Sequence, residues 1–257
     1  MKIATFNVNS IRSRIEPVCA WLADHRPEVL AVQETKVQDE DFPIDAFADT
    51  GYHLIFRGQK KYNGVAIFSR IEPKNVRDRL PGDTGIEARF LQADYGPVTV
   101  INTYIPQGQE ITSDKFRCKL QWYGWLRDYL SELLTPNAKV IWLGDLNVAR
   151  EDIDVHDPQG LWGSVCFCKE TQDAFEEVLA LGLTDLFRLH HPDEPGQYTF
   201  WDYRVPNGFK RNLGWRIDYI TASNSLAKRC TRCQIDTAPR TAEKPSDHTI
   251  LWAEFDL

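Results

Sequence analysis

Short apolar runs rich in β-branched and aromatic residues recur along the chain at 2–8, 28–33, 52–57, 64–69, 87–94, 97–105, 138–145, 197–203, 215–221 and 249–255, and each predicts a strand. Three segments carry the helical period instead. Pro17 stands where a first helical residue is expected and predicts a short helix to about His25. Phe116, Leu120, Tyr123, Leu126, Leu130 and Leu133 share one face of a helix over 115–134. A third helix runs from about Thr171 to Leu181, with Gly182 as its stop. Strands outnumber helices, and few connections are long enough to hold crossover helices. The pattern therefore predicts an α/β fold of two mixed sheets packed together with helices outside, rather than an alternating doubly wound sheet. No Pro-, Gly- or Ser-rich linker, tandem repeat or low-complexity stretch divides the chain, which predicts one domain over 1–257.

Several of these apolar strands end in polar residues that a buried strand does not need. The first delivers Asn7 and Asn9; the second delivers Glu34, followed by Lys36; and the run 97–105 carries Tyr104 before Pro106. The run 138–145 leads into Asp145 and Asn147, Asp218 sits between Ile217 and Tyr219, and Ser246-Asp247-His248 precedes the last strand. Together they predict one polar site along an edge of stacked sheets. Glu34, Asp145 and Asp247 with Asn7 and Asn147 offer hard oxygen ligands, which suit Mg²⁺, or Mn²⁺ in its place, rather than zinc. A metal held there polarises a phosphoryl oxygen and stabilises the charge that grows as water attacks. His248, beside carboxylates, is expected to stay protonated and hold a phosphate oxygen, at the margin of the metal set. One carboxylate must stay free to take a proton from water, and we assign that role to Asp145.

Each residue also has a plainer reading. Asp145 and Asn147 alone would pass for a strand-end turn, and Glu34 for a surface carboxylate paired with Lys36. Tyr104, Trp201 and Trp215 would pass for core aromatics. Asp218 inside an apolar strand is costly unless partnered, which favours a function for it. His25, His53, His156, His190 and His191 read as surface or structural histidines. Cys166-x-Cys168 and Cys230-x-x-Cys233 lack the repeated Cys-x-x-Cys spacing of a zinc site, so packing or reactive thiols are the expectation. Arg57, Lys60 and Lys61 with Tyr62 form a basic turn that would suit backbone phosphates.

A net charge of −7 argues against a protein that coats nucleic acid nonspecifically, but not against an enzyme with a local basic rim. The apolar stretch at the N-terminus is too short for a secretory signal core, and no apolar run of membrane-spanning length follows. A cytoplasmic address, mostly reduced cysteines and no membrane partner are the expectation. Nothing in the chain asks for an obligate oligomer, so a monomer is expected.

Thr5–Arg12, Val32–Lys36, Asn63–Ala66, Asn102–Pro106, Gly144–Ala149, Tyr198–Arg204, Gly214–Tyr219 and Ser246–His248 then occur in the order that the chain resembles most: the exonuclease III-type apurinic endonucleases of the endonuclease/exonuclease/phosphatase superfamily. The resemblance covers essentially the whole chain. It implies a four-layered α/β sandwich that acts on duplex DNA carrying abasic or 3′-blocked lesions, with Mg²⁺. It implies that Asn7 and Glu34 hold the metal with Asp247 nearby, and that Asp145 activates water which Asn147 orients. By the same likeness Tyr104 and His248 contact the scissile phosphate and Asp218 hydrogen-bonds His248. Asn212 and Trp215 would flank the pocket, and Phe200 and Trp201 would pack on a flipped-out abasic sugar. Two departures stand out. Gln107 follows Tyr-Ile-Pro where many members carry Asn, and Ser164–Lys169 replaces a Ser-Gly-Phe type segment, which leaves lesion preference open. Abasic incision, 3′-phosphatase, 3′-phosphodiesterase and 3′–5′ exonuclease activities share one mechanism. Related substrates of the same fold are RNA ends and phospholipids, and a noncatalytic binder would have no use for both a base and a metal ligand.

Overall fold

Period-two alternation makes each central strand serve two layers at once. In β1 (Lys2–Asn7), Ile3 packs into the core between the sheets, whereas Ala4 and Phe6 pack beneath an outer helix. β2 (Val29–Gln33) does the same with Val29 and Ala31 inward and Leu30 and Val32 outward. The computed structural model describes residues 1–83 and 87–257. Within them, strands β3 (His53–Arg57), β4 (Val65–Ser69), β5 (Lys74–Arg77), β6 (Phe90–Tyr95), β7 (Val98–Tyr104), β8 (Val140–Asp145), β9 (Leu183–Asp185), β10 (Asp218–Ser223), β11 (Cys230–Asp236) and β12 (Ile250–Phe255) complete two six-stranded sheets. Their orders are β11-β12-β1-β2-β4-β3 and β5-β6-β7-β8-β10-β9.

Each sheet has a parallel pair at its centre, β1 with β2 and β7 with β8, and the other neighbours run antiparallel. A parallel pair needs a crossover, and the helices α1 (Ile15–His25) and α2 (Asp114–Leu133) supply them. α1 buries Val18, Trp21 and Leu22 on one sheet; α2, capped by Ser113 Oγ accepting from Phe116 N at 3.2 Å, covers the other with Tyr123, Leu126 and Leu130. After the short α3 (Pro158–Leu161), α4 (Lys169–Leu179) joins α2 on that face through Phe175 and Val178. The result is the expected helix–sheet–sheet–helix order. α5 (Leu186–His190) and α6 (Asn224–Ala227) are short connectors.

Polar stitches fix the two sheets against each other. Asn102 Nδ2 of β7 donates to the carbonyls of Val32 and Ala66, both at 3.0 Å, and its Oδ1 accepts from Gln33 Nε2 at 2.7 Å. The Asn102 amide is fully partnered, whereas Gln33 spends its nitrogen on Asn102 and Thr5 and leaves its Oε1 unpaired, and together they set the sheets' offset next to the strand ends that carry the polar residues.

Several elements depart from the sequence expectation. The run 197–203 is not a strand: it meets Trp215 and His248 only through isolated bridges at Phe200, because its backbone groups are shared among three segments at the sheets' end. β10 begins at Asp218, since Trp215 pairs outside the sheet with Val155 and Phe200. β5, β9 and β11 were not foreseen, β5 being exposed throughout and β9 only three residues long. α1 starts at Ile15, with Pro17 still inside the first turn where no helical N–H is needed. α4 starts at Lys169 and ends at Leu179, and Gly182, at φ +109°, leads into β9 rather than stopping the helix directly. Among the described residues, no helix is long and apolar enough to cross a membrane.

Candidate active site

The parallel strands end, and the antiparallel β10 begins, at one edge of the stacked sheets. Asn7 closes β1, Glu34 follows β2, Tyr104 closes β7 and Asp145 closes β8; Asp218 opens β10, and His248 sits just ahead of β12. Register makes this convergence strict: Tyr104 pairs with Asp145, and Asp145 with Asp218. Side chains from both sheets therefore meet in a cavity of 620 Å³, whose walls include Glu34, Tyr104, Gln107, Asp145, Asn147, Phe200, Trp215, Asp247 and His248.

Asp145 is 1% exposed, and its two oxygens are held separately, Oδ1 by Asn147 N at 3.0 Å and Oδ2 by Asn7 Nδ2 at 2.9 Å. Burial raises its pKa first and foremost; Asp218 and Glu34 add to the rise, His248 and Asn7 oppose it, and the group settles at about 7. His248 lies with Nε2 3.7 Å from Asp145 Oδ2, while its Nδ1 meets Asp218 Oδ2 at 2.8 Å. Burial alone would lower the imidazole's pKa, yet Asp218 and Asp145 outweigh it and hold it up at about 10. The ring is thus a fixed cation on the cavity wall, and Phe200 packs against it at 4.8 Å between centroids.

Glu34 combines both of its readings. Lys36 Nζ pairs with its Oε2 at 2.7 Å, and Asn7 Nδ2 donates to its Oε1 at 2.9 Å, so its pKa stays low although burial pulls the other way. Tyr104 shares a hydrogen bond with Glu34, and burial together with the Glu34 and Asp145 charges keeps its phenol neutral far above the usual range. Asn7 bridges Glu34 and Asp145 through its nitrogen, while its Oδ1 accepts Asn9 N at 3.0 Å. In this arrangement Asn7 orients the carboxylates rather than presenting an oxygen. Asn147 Nδ2 donates to Ile105 O at 3.0 Å, and its Oδ1 faces the Cys166 thiol at 3.6 Å.

Carboxylate oxygens of Glu34 and Asp145 and a ring nitrogen of His248 all lie within 4.8 Å of one another; the protonated imidazole borders this cluster and leaves metal ligation to the oxygens. Two carboxylates bridged by an amide are a hard donor set of the kind that a Mg²⁺-like cation takes. Asp247 stands outside that group with Oδ1 engaged by Asn9 Nδ2 at 2.9 Å, although it does line the cavity.

Three of the expected DNA-contacting residues lie off the cavity wall. Trp201 is 2% exposed and is not on the cavity wall; its ring meets Phe209 edge-on at 5.0 Å. Asn212 caps that indole, its Oδ1 accepting from Trp201 Nε1 at 3.1 Å, and it does not flank the pocket. Lys61 is exposed on a turn at φ +72°, away from the cavity wall. In their place stand residues the sequence did not single out: Ile217, Asp202 and Arg204 on the wall, and Lys119 beneath it. Lys119 had a signal, since it falls on the buried stripe with Phe116, Tyr123 and Leu126 where a lysine has no place without partners.

The six cysteines are free thiols, and Cys166 and Cys168 pack with Phe116 and Val165. Burial raises the Cys166 pKa above its ordinary value, which keeps it a thiol.

Comparison with known proteins agrees with this geometry. A model of the Endonuclease/Exonuclease/phosphatase family matches residues 4–248. The chain is 36% identical to an exodeoxyribonuclease III of Haemophilus influenzae, over 99% of this chain and 100% of that protein. An AP endonuclease from Archaeoglobus fulgidus superposes with a TM-score of 0.97 at 47% identity, and both chains are covered over 100%. A 3′ phosphatase from Neisseria, solved with a product DNA hairpin, superposes with a TM-score of 0.97 at 38% identity, again with 100% of both chains covered. With a matched family model spanning the site residues from Asn7 to His248, the chain belongs to the endonuclease/exonuclease/phosphatase family and is a hydrolase of the exodeoxyribonuclease III and AP-endonuclease type.

Proposed function

We propose that the chain is a Mg²⁺-dependent DNA-repair phosphodiesterase that incises duplex DNA 5′ to abasic sites and clears blocked 3′ ends by 3′-phosphodiesterase, 3′-phosphatase and 3′–5′ exonuclease action. The observation that carries this is buried Asp145 facing His248 across 3.7 Å, with Asp218 on the imidazole's other nitrogen at 2.8 Å; burial raises the pKa of the carboxyl, and Asp218 and Asp145 raise that of the imidazole. A base poised near neutral pH and an acid that stays charged are what water attack on a phosphodiester needs. We further propose a single domain over 1–257, monomeric, working in the cytoplasm at the nucleoid during repair.

In this reading Asp145 takes the proton from the attacking water while Asn147 orients that water. His248, kept protonated by Asp218, donates to a phosphoryl oxygen, and neutral Tyr104 donates to another. Gln107 and Trp215, on the same wall, contact the strand beside the lesion, and Phe200 meets the flipped-out sugar. Glu34, aligned by Asn7, would hold the cation, with Asp145, Asn147, Asp247 and the protonated His248 around it. The cation's contribution is Lewis-acid polarisation of the phosphoryl oxygen and neutralisation of charge at the leaving oxygen. Donors fixed before the substrate arrives need no reorganisation as charge develops.

The test is cleavage of labelled duplexes carrying an abasic analogue, a 3′-phosphate or a recessed 3′ end, with Mg²⁺ and with EDTA. Metal-dependent incision leaving a 3′-hydroxyl is expected. Intact duplexes beside cleavage of RNA ends or of a phospholipid would overturn the reading in favour of another substrate of the same fold.

A further inference from the structure

The loop after β8 hangs from side chains. Leu146 O accepts from the Tyr123 hydroxyl at 2.7 Å, Asn147 O from Lys119 Nζ at 2.6 Å, and Val148 O from the Tyr219 hydroxyl at 3.0 Å. Loop carbonyls normally face water; these are buried, and each has been given a side-chain donor. The central donor is unusual, because an ammonium is the most expensive of the three to bury. Lys119 is 0% exposed. Its other donors reach Gln107 O at 3.2 Å and Val165 O at 2.7 Å, and the Cys166 sulfur lies at 3.9 Å. Three N–H groups therefore meet three carbonyls, one from each of three separate loops.

All three loops build the cavity: Gln107, Asn147, Val165 and Cys166 are on its wall. A buried apolar residue would serve helix packing better, since desolvating an ammonium works against folding unless its partners are well placed. Burial accordingly pulls the Lys119 pKa down, with the Cys166, Cys168 and Asp145 groups opposing the fall. Asn147 itself sits at φ +50°, a conformation that needs support from its surroundings.

We propose that Lys119 is a positioning residue for the reaction: its ammonium ties the 107, 147 and 165 loops together, so that the Asn147 amide and the Cys166 wall keep fixed places relative to Asp145. Substrate never touches it. The kinetic part of this proposal rests on the phosphodiesterase reading above, and the structural part does not.

The test has two arms on the full chain, using Lys119→Met, which keeps the volume and removes the donors, and Lys119→Gln, which keeps two of them. In the first arm, cysteines are alkylated with iodoacetamide and the sites are mapped by mass spectrometry. Release of the loops should speed Cys166 modification about tenfold while Cys233, buried between the sheets away from these loops, changes little. In the second arm, steady-state cleavage of the abasic duplex is measured well below the melting temperature. A misplaced Asn147 should lower kcat roughly ten- to a hundredfold in the Met variant and less in the Gln variant, with KM little changed. A residue that only packs would lower the melting temperature and leave kcat and the Cys166-to-Cys233 ratio alone, and that result would overturn the proposal. If the Met variant does not fold, the Gln variant carries both readouts. If the wild type cuts no duplex, the functional reading fails, and the alkylation arm still decides whether Lys119 holds the loops.

Discussion

At the scale of single residues, the site works by giving neighbouring titratable groups opposite tasks. The pKa of Asp145 is held at about 7 by burial and by the Asp218 and Glu34 charges, so its carboxylate, the base we propose, forms as pH rises through about 7. His248 runs the other way, keeping its proton until about 10 because Asp218 and Asp145 outweigh its burial. Replacement of Asp145 by Asn keeps the shape and removes the base; kcat for the abasic duplex should fall roughly 10²- to 10⁴-fold, while a gel-shift assay shows DNA binding retained. Asp218→Asn removes the charge that does most to hold the imidazolium. The alkaline limb of the kcat/KM profile should then move to lower pH, and the acidic limb should move the same way because Asp145 also loses a negative neighbour. An alkaline limb that stayed in place would mean that some group other than His248 sets it.

At the scale of elements, the strand ends do the positioning, and they do it through backbone conformations that ordinary residues avoid. Asn9, Glu34, Lys36 and Asn147 all have positive φ, between 43° and 53°, and all lie in or beside the site. Such strain persists only where the surroundings hold it, and the Asn102 stitches and the Lys119 ammonium are two of those supports. Gly144 is a tight point of this edge. It stands at φ +135°, and a Cβ there would come within 2.0 Å of Thr103 O on the neighbouring parallel strand. Gly144→Ala must push β8 away from β7 just before Asp145. We expect a loss of about 1–3 kcal/mol in urea unfolding, together with a fall in kcat, since Asp145 and Tyr104 face each other across that pair. Unchanged activity would show that the register of β7 and β8 does not govern the site.

At the scale of the whole molecule, a chain of net charge −7 must bring polyanionic DNA to a cavity walled by carboxylates. Local cations have to make that possible: His248 and Arg204 on the wall, and the metal ion that we propose Glu34 holds. The bound cation also relieves repulsion among buried carboxylates, so it should stabilise the fold. Mg²⁺ should raise the melting temperature of the wild type by a few degrees and that of Glu34→Gln much less, a linkage that EDTA reverses. Equal shifts in both proteins would place the cation elsewhere.

Most of the fold was legible because its physics is local. Apolar, β-rich runs in 2–8, 28–33 and 138–145 marked the buried strands, the stripe from Phe116 to Leu133 marked the long helix, and polar residues at strand ends marked the site. Where the local signal is weak, the sequence stayed silent: β5 is polar and exposed, β9 is short, and the segment around Phe200 borrows its hydrogen bonds from two other segments. Conformation and partnership belonged to the tertiary structure alone. Nothing in the neighbourhood of Trp201 distinguishes it from Phe200, yet one is buried against Phe209 and the other lies against His248. Residue types and order determined which groups reach one edge of the sheets. Only the packing of the two sheets decided that Asp145 would be buried beside an imidazolium, and that a lysine in a helix would end on three loop carbonyls, because desolvation and charge pairing depend on neighbours far away in the chain.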